Sequence, residues 1–361
     1  MTIHVCLLIY ISIVGAFIFR QKPYRRKKNK LFLILAFFGV FIVQSLRGYN
    51  VGWDTYDYAV AYTRMSYGID TSGWEFLFRY LMRVLASISS NPQLMLSVCS
   101  FIILFGIGYL LLENMEEDSS MFWPVFLFVV LTQYFSTMNL LRQSVAMSIG
   151  CNAYTVLKRG INTKNFIIAI ILVVISTLFH KTGIITALLI LPTMIPISRK
   201  TIAVEFFGGI SIYYLFPVML NVFVLLLPQY GTYIGSRFDF VDSSMFHYVL
   251  GFIEIVMGLL ITAFLSPNES ENKEIYQLLF IALISFAFIV ARLRMALATR
   301  LGYYFELSVL LLIPAVIKKV RDLATGVVIK MALYVSGWIY YIYSMTAHTA
   351  KGCVPYTFFW Q

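Results

Sequence analysis

Arginines recur at the ends of hydrophobic segments in this chain, each beside residues that can bind or activate a substrate. Four short polar groups carry them: RGYNVGWDT at 47–55, NLLRQ at 139–143, HK at 180–181 and ARLRMALATR at 291–300. A guanidinium presents a planar fork of N–H donors that matches phosphate oxygens, and a histidine or carboxylate can take a proton from a hydroxyl. These residue types predict a site that binds phosphate and transfers a group.

The first polar group follows a hydrophobic span directly. Arg47 ends that span, and Gly48 and Gly52 permit the backbone to approach a ligand closely. We expect the Asp54 carboxylate to lie within reach of the same face. An alternative without substrate is an ion pair between Arg47 and Asp54 that pins the loop.

The second and third polar groups lie at the mouths of later spans. Asn139 is predicted to cap a helix, with Arg142 and Gln143 in its first turn, where free N–H groups favour an anion. His180 is a candidate proton acceptor, and Lys181 beside it is a further cation. The alternatives are hydrogen bonds between helices for the second group and a merely hydrogen-bonded histidine for the third.

The fourth polar group is the most strongly charged. Arg292 and Arg294 flank a leucine, and Arg300 begins the next span ahead of Tyr303. Three arginines without an intervening acid repel one another unless an anion joins them. The alternative is internal neutralisation by a deep carboxylate, such as Glu306 or Glu254, the latter in the middle of the predicted span 246–265.

Composition places these groups in a membrane. Of 361 residues, 60% are apolar and only 12% are charged, whereas soluble domains carry about 25% charged residues. Apolar runs recur from end to end, which predicts one integral membrane domain over 1–361. The net charge of +11 lies mostly in short loops, so it indicates orientation rather than nucleic-acid binding. The four cysteines form no close-spaced pair, which argues against a metal knuckle or a disulfide framework.

The hydropathy pattern predicts an all-α protein with about twelve spans. They run over 3–19, 31–46, 93–112, 122–138, 143–157, 165–179, 182–197, 202–226, 246–265, 276–291, 300–317 and 325–344. If the basic segment 20–30 is cytoplasmic, most lysines and arginines lie on the inner side, and all four polar groups lie on the outer side. Charges near the hydrocarbon on that side are costly, which favours a functional role.

Two long outer loops are predicted. The first, over 47–92, contains an amphipathic helix at 73–90, with apolar residues at helical spacing and with Arg79 and Arg83 on the other face. We expect this helix to lie along the membrane surface. The second, over 227–245, is rich in Gly, Ser and Tyr and could cover a site or bind a sugar chain.

The order of short motifs resembles the EpsG-like family of exopolysaccharide polymerases. The motifs are an arginine with VGWDT after the second span, Trp-Glu-Phe at 74–76, NLLRQ at 139–143, HKTG at 180–183, an arginine-rich turn before a Tyr-Tyr span, and Val-Pro-Tyr at 354–356. The resemblance covers most of the chain. The family is similar to the broader Wzy-type polymerases of O-antigen and capsule biosynthesis, with a GT-C-like helical membrane fold.

The resemblance implies a polymerase at the outer face of the bacterial cytoplasmic membrane. Such an enzyme transfers a growing glycan from undecaprenyl pyrophosphate onto a new lipid-linked oligosaccharide repeat unit. It is expected to need no metal or other cofactor and to bind no nucleic acid. Its expected partners are the lipid-linked oligosaccharide, the lipid bilayer, a chain-length regulator and a flippase.

On this reading the arginines stabilise the leaving pyrophosphate and an acid–base group activates the acceptor. We assign Arg142, Arg292, Arg294 and Arg300 to the pyrophosphate, with Arg47 positioning the loop or a phosphate. Asp54 or His180 is the base, with preference for Asp54. Gln143, Lys181 and Tyr303 are further substrate contacts. Two alternatives remain open: another lipid-linked glycan transferase or ligase, and a transporter of the same lipid-linked oligosaccharide, for which broken helices and mid-span polar residues are typical.

Overall fold

The computed structural model describes residues 1–70, 73–116, 118–226, 231, 252–253, 256, 272–295, 298–320 and 322–361. These residues fall into two compact units, the first over 1–187 and 320–361 and the second over 188–319. In chain order the helices are α1 (Thr2–Ile18), α2 (Arg26–Ser45), α3 (Thr55–Ser66), α4 (Phe76–Ile88), α5 (Pro92–Asn114), α6 (Phe122–Val130), α7 (Gln133–Asn139), α8 (Leu141–Gly150), α9 (Asn152–Lys158), α10 (Thr163–Phe179), α11 (Leu191–Met194), α12 (Arg199–Leu226), α13 (Lys273–Arg292), α14 (Thr299–Lys318) and α15 (Leu323–Ala347).

The helical, membrane-type architecture predicted from the sequence is confirmed. Six helices in the described part of the chain, namely α2, α5, α12, α13, α14 and α15, are long and apolar enough to cross a bilayer. The helices α1 and α10 are apolar but shorter. The number of twelve spans stays a prediction, and the ninth predicted span, 246–265, lies largely outside the described residues.

The first unit has two chemically different ends. The helices α2 and α5 run in opposite directions, so the start of one meets the finish of the other. At one end Glu113 accepts from both Arg26 and Arg159. At the other end the amide of Gln93, at the start of α5, donates to the carbonyl of Ser45, at the end of α2. The first, second and third polar groups belong to this second end, which we call the site end.

Two of the predicted spans that the structure describes are broken rather than continuous. The segment 122–138 divides into α6 and α7 at Thr132, whose φ of 65° is left-handed and cannot continue a right-handed helix. In the segment 143–157, by contrast, Cys151 between α8 and α9 keeps helical dihedral angles (φ −60°, ψ −23°), and its N–H donates to the Met147 carbonyl. The segment 182–197 is a 3₁₀ helix, Lys181–Ile190, followed by the single turn α11. Apolar composition alone could not show these breaks.

The loop over 47–92 contains two helices, of which the sequence predicted one. The predicted amphipathic helix is α4, and Asp70 pairs with its Arg83 at 2.8 Å and its Arg79 at 3.9 Å. Phe78 and Met82 of this helix are fully buried in the protein, whereas Phe76, Tyr80 and Val84 are exposed, as is Ile88. That the helix lies along the membrane surface stays a prediction. The helix α3 was not predicted because its polar residues obscure the apolar period.

Candidate functional site

A single carboxylate, Glu75, connects the second and third polar groups. Its Oε2 lies 2.6 Å from Nη1 of Arg142, and its Oε1 lies 2.8 Å from Nδ1 of His180. The backbone N–H of Lys181 also points to Oε1, at 3.3 Å. The Glu75 side chain is only 9% exposed, so these contacts replace most of the water that an ionised carboxylate requires.

Each partner is held by the end of a helix. Glu75 precedes α4, and its carbonyl accepts from the N–H of Arg79. Arg142 lies in the first turn of α8, as predicted. His180 follows α10 directly, and its backbone N–H donates to the carbonyl of Ser176. Because three separate helix ends supply the three side chains, the geometry depends on their packing and not on local sequence.

The electrostatic balance keeps Glu75 ionised. Burial raises the pKa of this carboxyl, but the hydrogen bond from His180 and the charge of Arg142 lower it further, to about 2. An ionised carboxylate has only acceptors, so Nδ1 of His180 must carry the hydrogen in this contact. A neutral His180 is therefore held as the tautomer whose Nε2 bears the lone pair.

Arg142 also contacts Tyr58 of α3. Its Nε donates to the Tyr58 hydroxyl at 3.3 Å, and the guanidinium lies 5.9 Å from the centre of the ring. Burial raises the pKa of Tyr58, which keeps its hydroxyl protonated. A cavity of about 400 Å³ opens beside this contact, and we call it the α3 cavity. It is lined by Asp54, Tyr56, Asp57, Tyr58, Val60, Ala61, Arg64, Trp74 and Arg142.

Arg47 occupies a different environment. It is 1% exposed, and its guanidinium donates to the carbonyls of Gln44 and Met138. Among the described residues it forms no ion pair with Asp54, so that sequence-based alternative is wrong. Asp54 instead precedes α3 and lines the α3 cavity. Arg47 is not among the residues that line the cavity.

The loop of the first polar group is fastened to Asn139 and to the C-terminal segment. Gly52 has a φ of 95°, and its N–H donates to the carbonyl of Gly352. The N–H of Trp53 donates to Oδ1 of Asn139 at 2.6 Å. The prediction that Asn139 caps a helix is wrong, because Asn139 ends α7 and Leu140 stands at the cap of α8 without a side-chain bond. The Asn139 oxygen that was expected to cap α8 instead accepts the hydrogen bond from the Trp53 N–H.

The remaining predicted residues of the first unit differ in accessibility. Gln143 is buried within α8, at 5% exposure. The Lys181 residue is exposed and contributes its backbone N–H to the site. These positions do not test the predicted substrate contacts of Gln143 and Lys181, which stay predictions.

The fourth polar group lies in the second unit. Arg292, at the end of α13, is buried, whereas Arg300, in the first turn of α14, is exposed and Tyr303 is half-buried. Arg294 lies over the ring of Tyr213, 4.0 Å from its centre, and its Nε donates to the Tyr213 carbonyl. Glu254 and the loop over 227–245, apart from residue 231, lie outside the described residues.

Sequence reasoning did not identify Glu75 or Tyr58 as members of the site. In the sequence, Glu75 stands within the Trp-Glu-Phe motif at 74–76, and nothing local distinguishes Tyr58 from the other tyrosines of the same loop. The available signal was an acid between two aromatic residues, a pattern that Asp57, between Tyr56 and Tyr58, shares. That signal could not indicate which arginine and histidine the acid would meet.

The described residues form a helical, membrane-type protein whose site end joins a guanidinium, an ionised carboxylate and an imidazole beside a polar cavity. A site with these three groups can stabilise negative charge on a substrate and accept a proton from it. The sequence model of the EpsG family matches residues 29–358, so the chain belongs to the EpsG family. This membership associates it with exopolysaccharide polymerisation by a glycosyltransferase-type reaction. No curated protein and no solved structure matched the chain.

Proposed function

We propose that this protein polymerises a polysaccharide by transferring a growing glycan from undecaprenyl pyrophosphate onto a new lipid-linked repeat unit. The reaction takes place without a metal at the outer face of the bacterial cytoplasmic membrane, within a GT-C-like arrangement of spans. The observation that carries the proposal is the contact of Glu75 with both Arg142 and His180 beside the α3 cavity. The family match supports the polymerase class.

His180 is the proposed base. The Glu75 carboxylate holds its Nδ1–H, so that Nε2 can accept a proton from the attacking sugar hydroxyl. A carboxylate that orients an imidazole and stabilises its charged form plays the same part in hydrolytic triads. Asp54, which the sequence favoured as the base, lines the cavity and is kept as the alternative.

The proposed transfer forms one glycosidic bond and breaks the bond to the pyrophosphate. The acceptor oxygen forms a bond to the anomeric carbon of the donor glycan while its proton passes to Nε2 of His180. The bond between that carbon and the phosphate oxygen breaks, and its electron pair leaves with undecaprenyl pyrophosphate. The proton then passes from His180 to solvent or to the released pyrophosphate.

Arg142 is the proposed stabiliser of the leaving group. A guanidinium has five N–H donors, and the contacts with Glu75 and Tyr58 use two of them. The others can bind the phosphate oxygens as negative charge develops there. Arg292, Arg294 and Arg300 of the second unit are proposed to assist, together with Gln143, Lys181 and Tyr303. Arg47 is proposed to support the loop from within the protein.

The test is a reconstituted reaction with the lipid-linked repeat unit and EDTA. Wild-type protein should yield a ladder of glycan lengths, whereas a ligase would yield one transferred chain. His180→Ala should abolish the ladder and Asp54→Asn should retain it if His180 is the base, and the reverse result would assign the base to Asp54. Arg83→Ala, on the exposed face of α4, serves as the control for loss of an arginine in the same loop.

The broken helices support a second candidate, a transporter of the same lipid-linked oligosaccharide. The left-handed residue Thr132 and the 3₁₀ segment Lys181–Ile190 interrupt predicted spans, as discontinuous helices do in transporters. The same vesicles separate the two candidates. If the lipid-linked oligosaccharide crosses the bilayer and no ladder forms, the polymerase proposal is wrong and the transporter replaces it.

A further inference from the structure

The helix α3 presents one continuous face to the α3 cavity. Asp54, Asp57, Tyr58, Ala61 and Arg64 recur three or four residues apart, so they share one side of the helix. Trp74 and Arg142 complete the wall. Arg142 is thus shared between the cavity and the Glu75–His180 contact, and whatever fills the cavity lies next to the proposed reaction centre.

The aromatic part of the wall is fixed in place. The rings of Tyr58 and Trp74 are 5.8 Å apart, and Trp74 packs edge-on against Phe78 at 5.2 Å. Trp74 is 8% exposed and Phe78 is fully buried, so their packing restrains the ring that reaches the cavity. Aromatic faces are apolar and carry a negative quadrupole, which suits the polarised C–H face of a sugar ring.

The charged part of the wall is available to a ligand. The side chains of Asp57 and Arg64 are exposed, and neither side chain forms a hydrogen bond or ion pair with another described residue. They are seven residues apart, or about 10 Å along the helix axis. The cavity therefore offers a carboxylate at one point and a guanidinium at another, separated by about the length of one or two sugar rings.

The charges of the wall favour a neutral or mixed-charge ligand over a pyrophosphate. Asp54 and Asp57 line the cavity together with Arg64 and Arg142, so the formal charges of these four side chains balance and leave no excess positive charge for a dianion. Sugar hydroxyls, in contrast, donate readily to carboxylates and accept from a guanidinium. A polyhydroxylated ligand with a flat apolar face matches every part of this wall.

We infer that the α3 cavity binds a sugar unit of the repeat, with Asp57 and Arg64 selecting it by its hydroxyl and charged substituents. The inference rests on the proposed function, because it supplies the saccharide site that the transfer needs beside Arg142. It assigns the pyrophosphate to another side of Arg142. Asp57 and Arg64 act on substrate selection, and the chemical step is left to Glu75, His180 and Arg142.

The test measures binding of the lipid-free repeat-unit oligosaccharide, released from its lipid by mild acid, to the purified full-length protein. Asp57→Asn and Arg64→Gln should each weaken binding about 10-fold, the effect of losing a hydrogen bond to a charged group. Arg83→Gln is the matched control, since Arg83 is an exposed arginine of the same loop that does not line the cavity. Its affinity should stay within about 2-fold of the wild type.

Turnover measurements distinguish this inference from the proposed function. The two cavity variants should raise KM for the repeat unit and leave kcat nearly unchanged, as expected for residues that bind ground state and transition state alike. A wild-type ladder with affinities equal in all variants would overturn the inference and leave the polymerase intact. Oligosaccharide binding that depends on Asp57 and Arg64, without any ladder, would instead retain the inference and refute the polymerase.

Discussion

The surroundings of Arg47 and of Arg142 differ, although both arginines stand at the site end of the first unit. Arg47 is 1% exposed and donates to the backbone carbonyls of Gln44 and Met138. Arg142 is 26% exposed at its side chain, bonds to the Glu75 carboxylate and borders the α3 cavity. The same residue type therefore joins backbone segments in one place and borders the proposed reaction site in the other. What separates the two is the access of a ligand to the guanidinium.

The largest expected effect tests the accessible arginine. Arg142→Met should lower turnover about 10²–10³-fold, because one preorganised donor to the developing charge is lost. The measurement is the initial rate of ladder formation in proteoliposomes, with protein amount fixed. Arg79→Met, on the exposed face of α4, should retain nearly full activity. An Arg142→Met rate within a few-fold of the wild type would remove Arg142 from the pyrophosphate site.

The same substitution at the interior arginine should act on stability. Arg47→Met leaves two buried carbonyls without their donors, at a cost of about 1–3 kcal/mol each, offset in part by removal of a buried charge. The thermal unfolding midpoint in detergent should fall more than it does for Arg142→Met. Activity per folded molecule should stay close to that of the wild type. If Arg47→Met abolishes turnover without lowering the midpoint, Arg47 contacts substrate and the comparison fails.

Glu75, the carboxylate that contacts Arg142, should make the stability of the protein depend on pH. The pKa of Glu75 is lowered in the folded protein from 4.5 to about 2. A carboxyl with a lowered pKa contributes stability above its unfolded value and loses it as the pH falls towards its folded value. The unfolding midpoint should therefore decline between about pH 5 and pH 2. Glu75→Gln should flatten this decline, and an unchanged slope would show that Glu75 does not hold its partners as described.

The smallest expected effect concerns the loop of the first polar group, which follows Arg47 and leads to α3 beside Arg142. In Gly52→Ala, the φ of 95° is strained for alanine, and the added Cβ would lie 3.2 Å from Oδ1 of Asn139. We expect a loss of about 1–2 kcal/mol in unfolding free energy. Gly68→Ala is the control, because its φ of 80° imposes a similar strain where no other atom lies within 4 Å. A larger loss of activity in Gly52→Ala than in Gly68→Ala would show that loop position matters to the site.

The amino-acid sequence determined the class of protein and the set of polar residues. Its long apolar runs require helices in a bilayer, because every backbone N–H and C=O must be paired within the segment. The end-of-span location of Arg142 and His180 was also readable, since charges at membrane depth stand out against apolar neighbours. Family membership followed from the order of short motifs and is confirmed by the match over residues 29–358.

Tertiary structure alone decided which residues meet. Glu75 contacts Arg142 and His180, 67 and 105 residues away, and no local pattern encodes such pairings. The helix break at Thr132 and the burial of Arg47 likewise depend on packing partners rather than on local composition. The sequence does not show whether the guanidinium of an arginine will bond to backbone carbonyls or remain accessible to water. Its function is fixed by the neighbours that folding brings to it.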